Sequence, residues 1–128
     1  MKQNITVEQI EKFTGNQKEK IELIYEASCG RKTKEFHDRL PEFCKREKAR
    51  TYDEWFENYI IKRIGEIYYE ISVKMNIGRM IELLVNKGRD IDYEQDSTIP
   101  YCTLCVDGDI YQEKELCDAL WQAVKQVL

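Results

Sequence analysis

The 128 residues, 42% of them apolar and including eight Tyr, four Phe and two Trp, suffice for one ordinary domain with a buried core. Two Pro and six Gly against 34% charged residues exclude a collagen-like repeat, a low-complexity linker and a disordered tail. No apolar run approaches the ~18 residues of a membrane helix, and the start Met1-Lys2-Gln3-Asn4-Ile5-Thr6 lacks a signal-peptide stretch, so a cytoplasmic single domain over 1–128, away from membranes, is expected.

Thr6 with Gln9 three residues on has the form of a capping box, and Val7, Ile10 and Phe13 then make a short apolar stripe ended by Gly15, which predicts a helix over about 6–14. Lys18 to Ala27 places Ile21, Ile24 and Tyr25 on one side and meets a natural stop at Gly30. In 31–50 the sparse stripe Phe36, Leu40, Phe43 and Cys44 sits on a charged surface that Pro41 ends or kinks. Thr51 with Glu54 opens the strongest pattern, Trp55, Phe56, Tyr59, Ile60, Ile64, Ile67, Tyr68, Ile71 and Met75, which predicts one long helix over about 52–74. Asn76 is a good N-cap for a further helix over about 77–87, with Ile77, Met80, Ile81, Leu84 and Val85 on its apolar face and Gly88 after it.

Arg89 to Pro100 loses this periodicity, and its acidic, polar run reads as a surface loop. Tyr101 to Val106, Asp107-Gly108 and Asp109 to Gln112 then read as a β-hairpin closed by a two-residue type I′ turn. A lone hairpin is marginal and must pack on the helices. Glu113 to Leu128 is an amphipathic helix carrying Leu116, Cys117, Leu120, Trp121, Val124, Val127 and Leu128 on one side. The predicted fold class is therefore α+β, predominantly helical, with about five to six helices and one small hairpin at about 101–112 before the C-terminal helix.

Net charge is −4, but its sign is unevenly placed: −1 over 1–30, +4 over 31–50 and −7 over 51–128. From Asp90 to Asp118 nine carboxylates face one base, Lys114. Such a field repels phosphate backbones and attracts basic protein surfaces, which makes Asp90, Asp92, Glu94, Asp96, Asp107 and Asp109 candidate partner-binding residues. The plainer alternative is a solvated acidic face that keeps a small protein in solution. Arg31, Lys32, Lys34, Arg39, Lys45, Arg46, Lys48 and Arg50 carry enough cations to touch nucleic-acid phosphates, though interleaved acids dilute them.

Catalytic and metal templates find little to hold. Cys102-Thr103-Leu104-Cys105 is the one metal-like spacing, yet on a strand its thiols point to opposite faces, and no second pair or nearby histidine completes a tetrahedral site. Five cysteines, an odd number, exclude a complete internal disulfide framework and fit free thiols in a reducing compartment. The sole histidine, His37, and Cys44 would stand about 10 Å apart on a continuous helix, too far for a nucleophile and base. Glu66 and Glu70, one turn apart, read as the polar side of the long helix. The expectation is a non-enzyme without a cofactor.

Two stretches, Asn76-Ile77-Gly78-Arg79-Met80-Ile81-Glu82-Leu83-Leu84 and Glu115-Leu116-Cys117-Asp118-Ala119-Leu120-Trp121-Gln122-Ala123-Val124-Lys125, together resemble the C-terminal part of small proteins encoded by bacteriophages and prophages of Gram-positive bacteria. The resemblance covers roughly the last 55 residues and implies a genomic context, with no site residue to carry over. Small phage accessory proteins often act by stoichiometric binding, including anti-CRISPR and other anti-defence inhibitors. The resemblance therefore implies a protein-binding accessory protein of the bacterial host's cytoplasm, an inhibitor of a defence system being one form, acting through the acidic surface on a basic partner such as a nucleic-acid-processing complex. The alternative is a nucleic-acid-binding regulator using the basic 31–50 segment. A homodimer through Trp55, Tyr59, Tyr68 or Trp121 is a further expectation, set against these rings being core.

Overall fold

Two capping devices start the chain's first half. In the computed structural model, which describes residues 2–33, 51–95 and 101–128, the Thr6 hydroxyl accepts from the Gln9 amide at 3.2 Å while the Gln9 side chain accepts from the Thr6 amide at 2.9 Å. This reciprocal pair satisfies donors that a helix start leaves open, and α1 runs over Val7–Thr14 to a left-handed Gly15. Helix α2, Lys18–Cys29, ends at Gly30 in the same way. The stripe between 34 and 50, with Pro41, His37 and Cys44, lies outside the described residues.

The long helix expected from Thr51 is interrupted. Helix α3, Tyr52–Trp55, starts where the Thr51 hydroxyl accepts from the Glu54 amide at 3.1 Å. It passes into a π turn over Phe56–Ile60, in which the Ile61 amide reaches back to the Phe56 carbonyl, and helix α4 resumes at Ile64–Lys74. Across this turn the Trp55 and Tyr59 rings stack at 5.9 Å and 16°.

Two compact units organise these elements. Thr6–Ser72 forms the first, where Ile10, Ile21, Ile24, Trp55, Phe56, Ile60, Tyr68 and Ile71 are buried. Inside it the buried Thr14 and Tyr68 hydroxyls bond at 2.5 Å, and the Tyr68 hydroxyl also donates to Asn16 at 3.3 Å. Lys18 bonds Asp53 and lies over the Tyr52 ring.

Met1–Ile5 with Val73–Leu128 forms the second unit. Its first strand-like contact pairs Asn4 with Asn76; the Ile77 amide donates to Gln3 at 2.9 Å and the Ile5 amide to Met75 at 3.3 Å. Asn76 then caps α5, Ile77–Asn86, accepting from the Arg79 amide at 2.8 Å. The sheet follows as β1, Ile91–Gln95, β2, Cys102–Val106, and β3, Asp109–Glu113, antiparallel in that order. Helix α6, Leu116–Val127, packs on β2, β3 and α5. Met80 and Leu84 of α5, Leu104 and Val106 of β2, and Cys117, Leu120, Trp121 and Val124 of α6 are buried there.

The mixed, mainly helical α+β class is as expected, and so is the two-residue turn: Val106 pairs with Asp109, and Asp107 and Gly108 have φ of 51° and 89°, the positive values that a type I′ turn demands. The run after Arg89 corrects the loop reading, because 91–95 is a strand paired with β2. Its signal was the alternation Ile91-Asp92-Tyr93-Glu94, which the weight of carboxylates, poor strand formers, obscured. Glu113 belongs to β3 and not to the last helix, which begins at Leu116.

Leu104, fully buried in the central strand, tests this core. Leu104→Ala is expected to lower stability by about 2–5 kcal/mol. Gly108→Ala, where an added Cβ meets nothing within 4 Å, should cost only the left-handed backbone strain, about 1–2 kcal/mol. Chemical denaturation followed by tryptophan fluorescence measures both.

Candidate functional site

Register decides which carboxylates share a surface. Residues of a strand alternate faces, and Tyr93 pairs with Leu104, which pairs with Tyr111. Ile91, Tyr93, Cys102, Leu104, Val106, Asp109, Tyr111 and Glu113 therefore belong to the face that carries the buried β2 side chains. The other face holds two cross-strand rows, Asp92–Cys105–Ile110 and Glu94–Thr103–Gln112. Asp92, Glu94 and Gln112 are exposed, Thr103 and Cys105 half-buried, and the Gln112 amide donates to the Thr103 hydroxyl at 3.4 Å. Ile110, an apolar side chain 66% exposed, stands among them.

The six acidic candidates are thus not equivalent. Asp90, Asp92 and Glu94 are exposed along and just before β1, and none forms an ion pair with another described residue. Asp109 is exposed on the opposite face, at the turn. Asp107 is occupied: its carboxylate accepts from the Asp90 amide at 2.9 Å and from the Arg89 guanidinium at 3.1 Å, while its own amide donates to the Asp90 carbonyl at 3.1 Å. It ties the start of β1 to the hairpin turn. Asp96 lies outside the described residues.

Of the basic set, Arg31 and Lys32 are exposed directly after the Gly30 cap of α2, and Lys34, Arg39, Lys45, Arg46, Lys48 and Arg50 lie outside the described residues. The rings offered for a dimer are corrected by their burial: Trp55, Tyr68 and Trp121 are core, and Tyr59 is half-buried against Trp55. An interface through Trp55, Tyr68 or Trp121 would need the fold opened. Glu66 and Glu70 are exposed on α4, Glu66 within 3.5 Å of Arg63.

Cys102 is buried and Cys105 half-buried on opposite faces of β2. Burial pushes the Cys117 thiol up to about 11, and the Tyr25 hydroxyl up to about 12, so both stay protonated at neutral pH. Among the described residues no group of three or more His, Cys, Asp or Glu is placed to hold a metal ion, and no helix is long and apolar enough to cross a membrane.

Ile110 is the residue that sequence reading missed. Its signal was present, since counting back across a two-residue turn sets Ile110 opposite Cys105, on the face away from Leu104. Compared with protein-family models, curated proteins and solved structures, the chain matches none.

The Asp90 amide, and after it the Arg89 guanidinium, hold the Asp107 carboxyl below the usual carboxylate range. A depressed folded-state pKa contributes stability above the unfolded value and loses it as pH falls through the folded one. In an NMR titration the Asp107 carboxyl is expected to protonate at lower pH than an ordinary aspartate, and part of that depression should vanish in Arg89→Met. An ordinary midpoint in the wild type would show that the tie is not made.

Proposed function

We propose that the protein is a non-enzymatic binding protein whose sheet carboxylates engage a partner with a basic surface. The observation that carries this reading is the exposed set Asp90, Asp92 and Glu94, without a described cation to neutralise it, on a sheet that also displays Ile110. Clustered carboxylates raise encounter rates with positive surfaces and select against nucleic acid. An exposed aliphatic side chain beside them supplies apolar contact once the partner has docked. The half-buried and buried free thiols Cys29, Cys102, Cys105 and Cys117 accord with work in a reducing cytoplasm. The resemblance of 76–84 and 115–125 to small phage-encoded proteins supports the accessory, stoichiometric kind of binder, an inhibitor of a bacterial defence system being its sharpest form.

Capture from bacterial lysate with the wild type and with the triple variant D90N/D92N/E94Q tests this. The wild type is expected to retain a basic protein or a nucleic-acid-processing complex, less of it as salt rises, and the variant several-fold less at low salt. The three side chains are exposed, so stability should change by no more than about 0.5 kcal/mol. Equal capture by the variant at low salt overturns the acidic-surface reading. Direct, salt-sensitive retention of duplex DNA or RNA would instead support a nucleic-acid-binding regulator acting from the Arg31 and Lys32 side of the chain.

A further inference from the structure

Which part of the sheet receives the partner follows from its hydrogen-bond pattern. In an antiparallel pair, residues that exchange both main-chain bonds alternate with residues that exchange none. The Asp107 amide bonds to the Asp90 carbonyl, so along β1 and β2 the bonded pairs are Asp92 with Cys105 and Glu94 with Thr103. The two-residue turn makes Val106 and Asp109 a bonded pair, so along β2 and β3 the others are Leu104 with Tyr111 and Cys102 with Glu113. Both sides of β2 are thereby used. On β3 the N–H and C=O groups of Ile110 and Gln112 point to the outer edge, where no described strand lies.

We propose that the outer edge of β3 takes an extended, basic segment of the partner protein as a fourth antiparallel strand. This rests on the preceding reading that the partner is basic, and adds the place and the mode. Main-chain groups of Ile110 and Gln112 bond the incoming strand, as in other cases of strand addition. The incoming residues opposite Asp109 and Glu113, four apart and on one face, meet carboxylates and are basic. The residue opposite Ile110, on the other face, meets the exposed aliphatic side chain and is apolar. The edge of β1 is less suited, because both side chains it turns to the open face, Asp92 and Glu94, are charged and offer an incoming strand no apolar contact there. Pairing with a second copy that bonds Ile110 to Gln112 about a two-fold sets Asp109 opposite Glu113 of the other copy, carboxylate against carboxylate.

The probe is the capped peptide Ser-Lys-Thr-Tyr-Val-Lys-Ser, whose two Lys would stand opposite Glu113 and Asp109 and whose Val would stand opposite Ile110. Amide exchange followed by NMR on the full chain is expected to show protection of Ile110 and Gln112 on adding it, with binding that weakens as salt rises. Ile110→Pro removes an outward N–H without touching the β2 ladder and is tolerated at a strand edge, so the fold persists while affinity falls about tenfold or more. D109N/E113Q is expected to lower affinity several-fold, and the peptide with Glu for both Lys should not bind. The proposal is overturned if the peptide leaves the Ile110 and Gln112 amides unprotected, if Ile110→Pro binds it equally, or if these amides gain protection with protein concentration alone, which would put a second copy on the edge. Capture of a partner that D90N/D92N/E94Q loses but Ile110→Pro keeps overturns this edge while leaving the binding function standing.

Discussion

The second unit depends on one turn. Asp107 and Gly108 both take positive φ, and this fixes a two-residue connection whose twist suits the strands it joins. Because strand side chains alternate, the turn decides in one stroke that Cys102, Leu104 and Val106 point to the buried face and that Cys105 and Ile110 point away. The same aspartate then extends the hairpin to three strands, its carboxylate holding the Asp90 amide and the Arg89 guanidinium where β1 begins. A hairpin alone buries too little to persist in water; a third strand and the α6 face, with Leu120, Trp121 and Val124 fully or almost fully buried, supply what it lacks.

What the sequence disclosed, and what it hid, follows the same physics. Caps are local, and Thr6 with Gln9, Thr51 with Glu54, Asn76, and the glycines at 15 and 30 mark helix ends because each satisfies a particular backbone group or a left-handed residue. The turn at 107–108 was legible for the same reason. Strand β1 was not, since Asp92 and Glu94 are poor strand formers whose place is stabilised by pairing with Cys105 and Thr103, partners more than eight residues away. The π turn at Phe56–Ile60 was equally hidden, because the apolar spacing through Trp55, Phe56 and Ile60 suits an ordinary helix.

The candidate surface divides likewise into legible charge and illegible geometry. The excess of carboxylates between 90 and 118 is plain from composition, but the division of labour among them is not. Asp107 serves the fold, Asp92 and Glu94 share the open face with Ile110, and Asp109 lies across the sheet from them. Only a register distinguishes these roles, and a slip by a single residue would exchange the faces wholesale.

That register is the central claim, and one spectrum tests it directly. Non-bonded antiparallel pairs bring their Cα atoms closest, so their Hα protons give strong mutual NOEs. The register described above predicts such cross-peaks between Tyr93 and Leu104 and between Cys105 and Ile110. Strong Hα–Hα cross-peaks linking Asp92 to Leu104 or Ile110 to Leu104 instead would mean a shifted register, and with it a different open face and a different edge.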